Sequence, residues 1–344
     1  MSELIDLEKL KKVDIQKMYK VYDMWPEIAE NSYQNHIEPI NFEKSPHFVF
    51  AGMGGSGAIG DIFSAILSKT DTHVTIVKGH HLPKTVNLNS VVIITSVSGE
   101  TEEALSILQN SKKIGAKTIV FSSGGKIEEE CKNCNADFVK IPKFHSPRAS
   151  FTSFLYSMMF VLKSVLPIKE SDVFDSIQNL KLIKDKISSE NISKENPSIK
   201  ISEWIIKTPV IYYPHGLKSV AVRFKNSLQE NCKIHAIAEN VIEACHNGIV
   251  SWDYNKEFQP ILIRGDEDYI KTKQLWEIFK ELFNEKNINF KEVTSVKGNI
   301  LSKLICLIYI LDYSSIYLSV KLNRDPTPVN SINYIKNKLQ EKNN

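Results

Sequence analysis

The chain has 344 residues, 42% of them hydrophobic, with 43 Lys and Arg against 40 Asp and Glu and a formal net charge of +3. The length suits one large or two medium domains, the apolar fraction is that of an ordinary globular fold, and the near-balanced charge argues against a nucleic-acid partner. Five cysteines, at 131, 134, 232, 245 and 306, are odd in number and scattered, so they form no disulfide framework and fit reduced thiols in the cytoplasm.

In chain order, residues 1–45 read as a helical arm. The segment Met1 to Lys20 is charged and lacks the apolar stretch of a signal peptide, and Trp25-Pro26 and Pro39 break any long periodic run. His47 to Ala51 is predicted as a buried strand, with Ala58 to Leu67 as the helix after it. His73 to Val77, Val91 to Thr95, Lys117 to Phe121 and Phe138 to Ile141 are further strands, with a helix over Glu102 to Lys113. Phe151 to Leu166 is an apolar helix that closes the first unit. Ser188 to Ser198 is polar, carries a proline and reads as a linker. The alternation then restarts: strand Val210 to Tyr213, helix Ser219 to Cys232, strand Gln259 to Arg264, helix Tyr269 to Asn284, strand Phe290 to Thr294 and a long helix Ile300 to Leu322. Within that last helix, Leu304 to Val320 is the most apolar late stretch. Interrupted by Asp312, Ser314 and Ser315, it reads as too short and too polar to span a bilayer, so a buried helix and no membrane partner are expected.

Short apolar strands alternating with helices give the fold class α/β, in two three-layer α/β/α subdomains, each a mostly parallel sheet flanked by helices. The expected boundaries are an arm at 1–45, a first subdomain at 46–187, a linker at 188–198, a second subdomain at 199–325 and a helical tail at 326–344. No residue-level repeat relates the two halves.

Two loops carry the chemistry. Gly52-Met53-Gly54-Gly55-Ser56-Gly57 and Ser96-Val97-Ser98-Gly99-Glu100-Thr101 each follow a strand and open a helix. Glycine lets the backbone approach a ligand closely, and hydroxyls with helix-start amides make an anion site. Gly55 and Ser56 in one loop, and Ser96, Ser98 and Thr101 in the other, suit the outer oxygens of a phosphate monoester. The alternatives are a tight turn without ligand and an ordinary helix cap. Gly52, Gly54 and Gly57 also satisfy Gly-x-Gly-x-x-Gly, but the second strand ends at Val77-Lys78, without the acidic residue that a dinucleotide ribose needs. Cys131-x-x-Cys134 has no second pair, and Cys232, His235, Cys245 and His246 are irregularly spaced, so no metal is expected.

The pair of loops resembles the SIS (sugar isomerase) domain. The resemblance extends to the bifunctional phosphoglucose/phosphomannose isomerases, which carry two SIS halves. The family's motifs follow in order: Gly-Gly-Ser-Gly at Gly54 to Gly57, Ser-x-Ser-Gly-x-Thr at Ser96 to Thr101, and a Pro-Arg stretch at Pro147-Arg148-Ala149-Ser150. Glu-Asn-x-Lys stands at Glu230 to Lys233, His-Asn at His246-Asn247, and Asp-Pro-Thr-Pro at Asp325 to Pro328 with Lys336 beyond. The resemblance runs from about residue 40 to the end. Two positions depart from the pattern: Gly248 stands where the family often has Glu, and Glu100 where it has Asn or Asp.

The resemblance implies a cofactor-free aldose–ketose isomerase that interconverts glucose 6-phosphate, and mannose 6-phosphate, with fructose 6-phosphate through a cis-enediolate. It implies Glu230 as the base and Arg148 as the cation facing the enediolate. His246 would open the sugar ring, reaching the active site of the neighbouring subunit in a homodimer. Lys336 would be a second proton-handling group, and Thr327 would line the C1–C2 region. The presence of Glu230, His246 and Arg148 together weighs against a non-catalytic sugar-phosphate sensor. The lack of a glutaminase domain weighs against an amidotransferase half.

Overall fold

The computed structural model describes residues 5–34, 38–40, 47–254 and 257–343. The apolar runs of the first half form β1 (His47–Ala51), β2 (His73–Val77), β3 (Ser90–Ser96), β4 (Lys117–Ser122) and β5 (Asp137–Lys140), all parallel in the order β2-β1-β3-β4-β5. The second half forms β6 (Thr208–Tyr213), β7 (Ile237–Asn240), β8 (Phe258–Arg264) and β9 (Lys291–Thr294), parallel in the order β7-β6-β8-β9. The winding is the same in both: the first strand lies between the second and third, so strand order reverses at β1/β3 and at β6/β8. In open parallel sheets a crevice forms at the carboxyl ends of such a pair.

Helices cover both sheets. In the first half they are α4 (Gly54–Leu67), α5 (Glu102–Ile114), α6 (Lys126–Cys134), α7 (Phe151–Val161) and α8 (Glu170–Ile187). In the second they are α9 (Pro197–Trp204), α10 (Lys218–Ser227), the short α11 (Val241–Ala244), α12 (Ile270–Glu285), α13 (Ile300–Lys321) and α14 (Asn330–Asn343). The bounds of α5 follow from its ends: Glu102 and Glu103 favour the positive N-terminus, Lys112 and Lys113 the other end, and Gly115 stops it at φ 77°. α6 and β7 are not predicted from the sequence. Only Ile127 and Cys131 of α6 are buried, and β7 is a four-residue edge strand with no fully buried position, so neither shows a marked apolar pattern. The helix predicted over Ser219 to Cys232 is α10 followed by a π-helical turn, Leu228–Cys232.

The arm is α1 (Leu7–Val13), α2 (Met18–Asp23) and α3 (Trp25–Gln34); the rest of the stretch read as an arm lies partly outside the described residues. It belongs to the core rather than leading into it. Trp25 is fully buried and stacks 4.8 Å from Tyr22 and 5.1 Å from Tyr309 of α13. One continuous apolar cluster joins the arm, the inner faces of both sheets, α7, α10 and α13, and α4 packs directly on α10. The segment 188–198 is tied down by Asn196, whose side chain caps α9 and donates to the Ile187 and Asn191 carbonyls. The late apolar stretch belongs to α13, a 22-residue helix long and apolar enough to cross a membrane, against the expectation from its polar breaks; it is buried inside the protein.

Candidate active site

The two glycine- and hydroxyl-bearing loops leave the carboxyl ends of neighbouring strands, since Ala51 of β1 pairs with Ile94 of β3. Gly54 starts α4 at φ 53°, a left-handed conformation that favours glycine, with open space where a side chain would stand. In the second loop the Ser96 hydroxyl donates to Thr101 Oγ1 at 3.3 Å and accepts the Gly99 N–H at 3.2 Å. Gly99 lies at φ 69°, and a Cβ there would overlap the Gly124 carbonyl oxygen. Thr101 sits at the N-cap of α5 but makes no side-chain bond to the helix amides, so the ordinary-cap alternative fails for it. Glu100 turns away to cap α6, accepting the Lys126 N–H at 2.9 Å.

Arg148 and Glu230, 82 residues apart in sequence, meet. Arg148 precedes α7 and Glu230 lies in the π-helical turn. Arg148 Nη1 donates to Glu230 Oε2 at 3.2 Å. Its Nε donates to Asn231 Oδ1 at 2.7 Å, and Nη2 to the Pro326 and Thr327 carbonyls at 2.5 and 3.1 Å. The arginine side chain is 7% exposed and the glutamate side chain 26%, so the carboxylate remains reachable while the guanidinium is fixed. A Cβ on Gly55 would stand 3.6 Å from Arg148 Cα, which places the first loop against the arginine. Thr327 Oγ1 is buried, with no hydrogen-bond partner among the described residues, and lies next to Pro328, which lines the cavity beside Glu230. Gly54, Glu230, Lys233, Pro328 and Asn330 line one cavity of about 600 Å³.

Among the described residues Glu230 pairs with Arg148 and not with the neighbouring Lys233. Lys233 Nζ donates to main-chain carbonyls, those of Glu230 (2.8 Å), Asn231 (3.1 Å), Asp325 (2.7 Å) and Pro326 (3.1 Å). It thus straps the π-helical turn to the segment carrying Thr327. Lys233 is exposed as a residue, but desolvation of its ammonium, with the Arg148 charge adding, pushes its pKa down to about 8 from an ordinary 10.5. Between these values the folded chain binds fewer protons here than the unfolded chain. Stability therefore rises with pH across that window, and the penalty of the desolvated charge is fully present below about 8. Lys233→Met is expected to flatten this rise in thermal melts taken from pH 7 to 10; an unchanged slope would refute it.

Two expected site residues stand apart. Lys336, on α14, lines a separate cavity of about 330 Å³ with Thr101, Glu103 and His80; Ile332 lines both cavities. His246 is exposed on the turn after α11, its N–H bonded to the Glu243 carbonyl at 2.9 Å, and it is not among the residues around Glu230. At the departure nearby, a Cβ on Gly248 would stand 2.5 Å from Glu239 Oε2, so a larger residue there must displace that carboxylate. Among the described residues no group of three or more His, Cys, Asp or Glu is placed to hold a metal ion. The Cys131 thiol, in the lone Cys-x-x-Cys, is pushed up to about 12 by burial.

Sequence reasoning missed the layer behind Arg148: Arg223, Asn231, Asp312 and Ser315, all buried. A signal was present, because Asp312 and Ser315 are polar breaks in an otherwise apolar helix, and buried polar groups require partners.

Both halves of the chain match known families. Residues 41–166 match the SIS domain model, and residues 194–339 match the model of the bacterial phospho-glucose isomerase C-terminal SIS domain. A bifunctional phosphoglucose/phosphomannose isomerase of Caldicellulosiruptor bescii is 29% identical over 95% of this chain and 96% of its own length. The protein of the same description from Thermoplasma acidophilum is 30% identical, over 85% of this chain and 89% of its own. Among solved structures, tagatose-6-phosphate ketose/aldose isomerase from Escherichia coli superposes with a TM-score of 0.67 at 14% identity, covering 94% of this chain and 95% of that one, a likeness of fold.

Proposed function

Because the chain belongs to the bifunctional phosphoglucose/phosphomannose isomerase family, we propose that it interconverts glucose 6-phosphate and mannose 6-phosphate with fructose 6-phosphate, and that Arg148, Glu230 and Thr327 surround the reacting carbons. The observation that carries this reading is the Arg148–Glu230 contact at 3.2 Å, with Glu230 and Gly54 of the first loop lining one cavity. Gly55, Ser56, Ser96, Ser98 and Thr101 hold the phosphate at the β1/β3 crevice, with the starts of α4 and α5 favouring negative charge. Glu230 removes the C2 proton and returns it to C1. Arg148 stabilises the oxyanion that develops between the two transfers, in a site already organised before substrate arrives. The two aldoses differ only at C2 and give the same enediolate, and a small hydroxyl at Thr327 accommodates both.

His246 is exposed and away from Glu230, which supports its service in a second subunit. In our reading the enzyme is a cytoplasmic homodimer in which His246 of the partner subunit opens the ring. Lys336 reaches the cavity beside Thr101 from α14 and assists proton handling there.

Purified protein treated with EDTA, given each aldose phosphate separately and monitored for fructose 6-phosphate, tests the proposal. Turnover of both supports it, and turnover of glucose 6-phosphate alone would revise the role of Thr327. No turnover with tight fructose 6-phosphate binding would indicate a sensor. The phosphate site has its own test. Ser98→Ala with Thr101→Ala removes two hydroxyls that would bond a charged group, each worth about 1.5–3 kcal/mol, so KM is expected to rise by about 100-fold or more with a smaller change in kcat. An unchanged KM would move the phosphate elsewhere.

A further inference from the structure

Beyond the residues that face the cavity, a closed ring of hydrogen bonds runs through Arg148. Its main-chain carbonyl accepts Arg223 Nη2 at 3.0 Å. Arg223 Nε and Nη2 donate to Asp312 Oδ2 at 2.9 and 2.6 Å. The main-chain carbonyl of Asp312 accepts the Ser315 hydroxyl at 2.6 Å, and that oxygen accepts Asn231 Nδ2 at 2.8 Å. Asn231 Oδ1 then accepts Arg148 Nε at 2.7 Å, which closes the ring. Backbone and side chain of one arginine are therefore both referred to the same turn of α13.

We infer that Asp312 and Ser315 of α13 are positioning residues for Arg148: the Asp312 carboxylate acts through Arg223 on the Arg148 backbone, and Ser315, anchored on the main-chain carbonyl of residue 312, acts through Asn231 on the guanidinium. This rests on the proposed isomerase reading. The cost of the arrangement supports a role other than stability. The Arg223 and Asp312 side chains are 3% and 1% exposed, and a pair of charges removed from water to that degree stabilises a fold no better, on the whole, than apolar residues of the same volume. The surroundings are built to keep the pair in one geometry. Ser227 Oγ donates to the second carboxylate oxygen at 2.8 Å, and the Arg223 guanidinium lies 3.6 Å from the centre of the Phe151 ring. Phe151 opens α7 three residues after Arg148, so Arg223 fixes the chain on both sides of the short link between them. What the ring fixes is the direction from which the guanidinium meets Glu230 and the developing oxyanion. A displacement of 1 Å in such a group costs up to about 100-fold in rate.

The test uses two variants of the full chain. Arg223→Met with Asp312→Leu replaces both charges by apolar side chains of similar reach and leaves no unpaired ion. Ser315→Ala cuts the other arm and removes a single hydroxyl. The double variant is expected to melt within a few degrees of wild type, with kcat lowered about 10- to 100-fold and KM changed less than about 3-fold. Ser315→Ala is expected to lower kcat several-fold, again without a matching change in KM. A merely structural role would lower the melting temperature and the active fraction while leaving kcat per folded molecule intact. Folded variants with wild-type kcat would overturn the inference. If the double variant does not fold, Ser315→Ala decides by the same criterion. Wild-type protein assayed alongside separates the two levels: its failure to turn over either sugar phosphate would overturn the proposed function instead.

Discussion

Glu230→Gln is expected to lower kcat about 1,000-fold, within the range that a positioned general base contributes, while sugar-phosphate affinity stays within a few-fold of wild type. Glutamine keeps the length of the side chain and an oxygen that accepts from Arg148 Nη1, now 3.2 Å from Glu230 Oε2. It loses the negative charge and the basic lone pair that, in the proposed mechanism, takes the C2 proton. The remaining bonds of Arg148, to Asn231, Pro326 and Thr327, do not involve the carboxylate, so the pocket keeps its shape. Steady-state kinetics, calorimetric binding of fructose 6-phosphate and exchange of the C2 hydrogen into deuterated water followed by NMR distinguish loss of chemistry from loss of binding. Turnover above a tenth of wild type would remove Glu230 from the role. Mixing this variant with His246→Ala extends the test to the quaternary proposal. If His246 serves the neighbouring subunit, a mixed dimer contains one site with both residues intact, and about a quarter of the wild-type activity is regained at equal mixing. No recovery on mixing would place each site within one chain.

How much of this could be read beforehand depends on burial. β1 and β3 lie in the middle of a sheet covered on both faces, every residue is buried, and the apolar runs announce them within one or two residues. β7 at the edge and α6 over a shallow outer cluster bury too little to show a period. The two loops between strand and helix are legible because glycine and hydroxyl placement is a local signal. The meeting of Arg148 with Glu230 is not: it depends on α4 packing against α10 and on the chain returning at Pro326, and no spacing encodes that. Only the resemblance proposed those two residues. The polar breaks Asp312 and Ser315 in α13 go with a helix that is buried, as expected, and they also supply buried partners for Arg223 and Asn231, which no spacing names.

Arg148→Lys is expected to lower kcat about 100-fold, even though the positive charge is kept. The guanidinium serves acceptors in several directions at once: Nε to Asn231, Nη1 to Glu230, and Nη2 to the Pro326 and Thr327 carbonyls. An ammonium carries three donors at one point on a flexible stem. It can meet Glu230 or the two carbonyls, but not Asn231 at the same time. Each buried acceptor left without a donor costs about 1–3 kcal/mol, so a lower melting temperature should accompany the loss of rate. KM should change little if, as proposed, the phosphate is held by the two loops and not by this side chain. Comparison with Arg148→Met separates the contributions. If charge alone stabilised the enediolate, lysine would rescue most of the activity that methionine loses. If the direction of the charge matters, as the fixed geometry of the guanidinium implies, the two variants will lie close together and far below wild type. A lysine variant with more than half the wild-type kcat would show that Arg148 acts only as a nearby cation, and the hydrogen bonds that fix its orientation would then need a purely structural explanation.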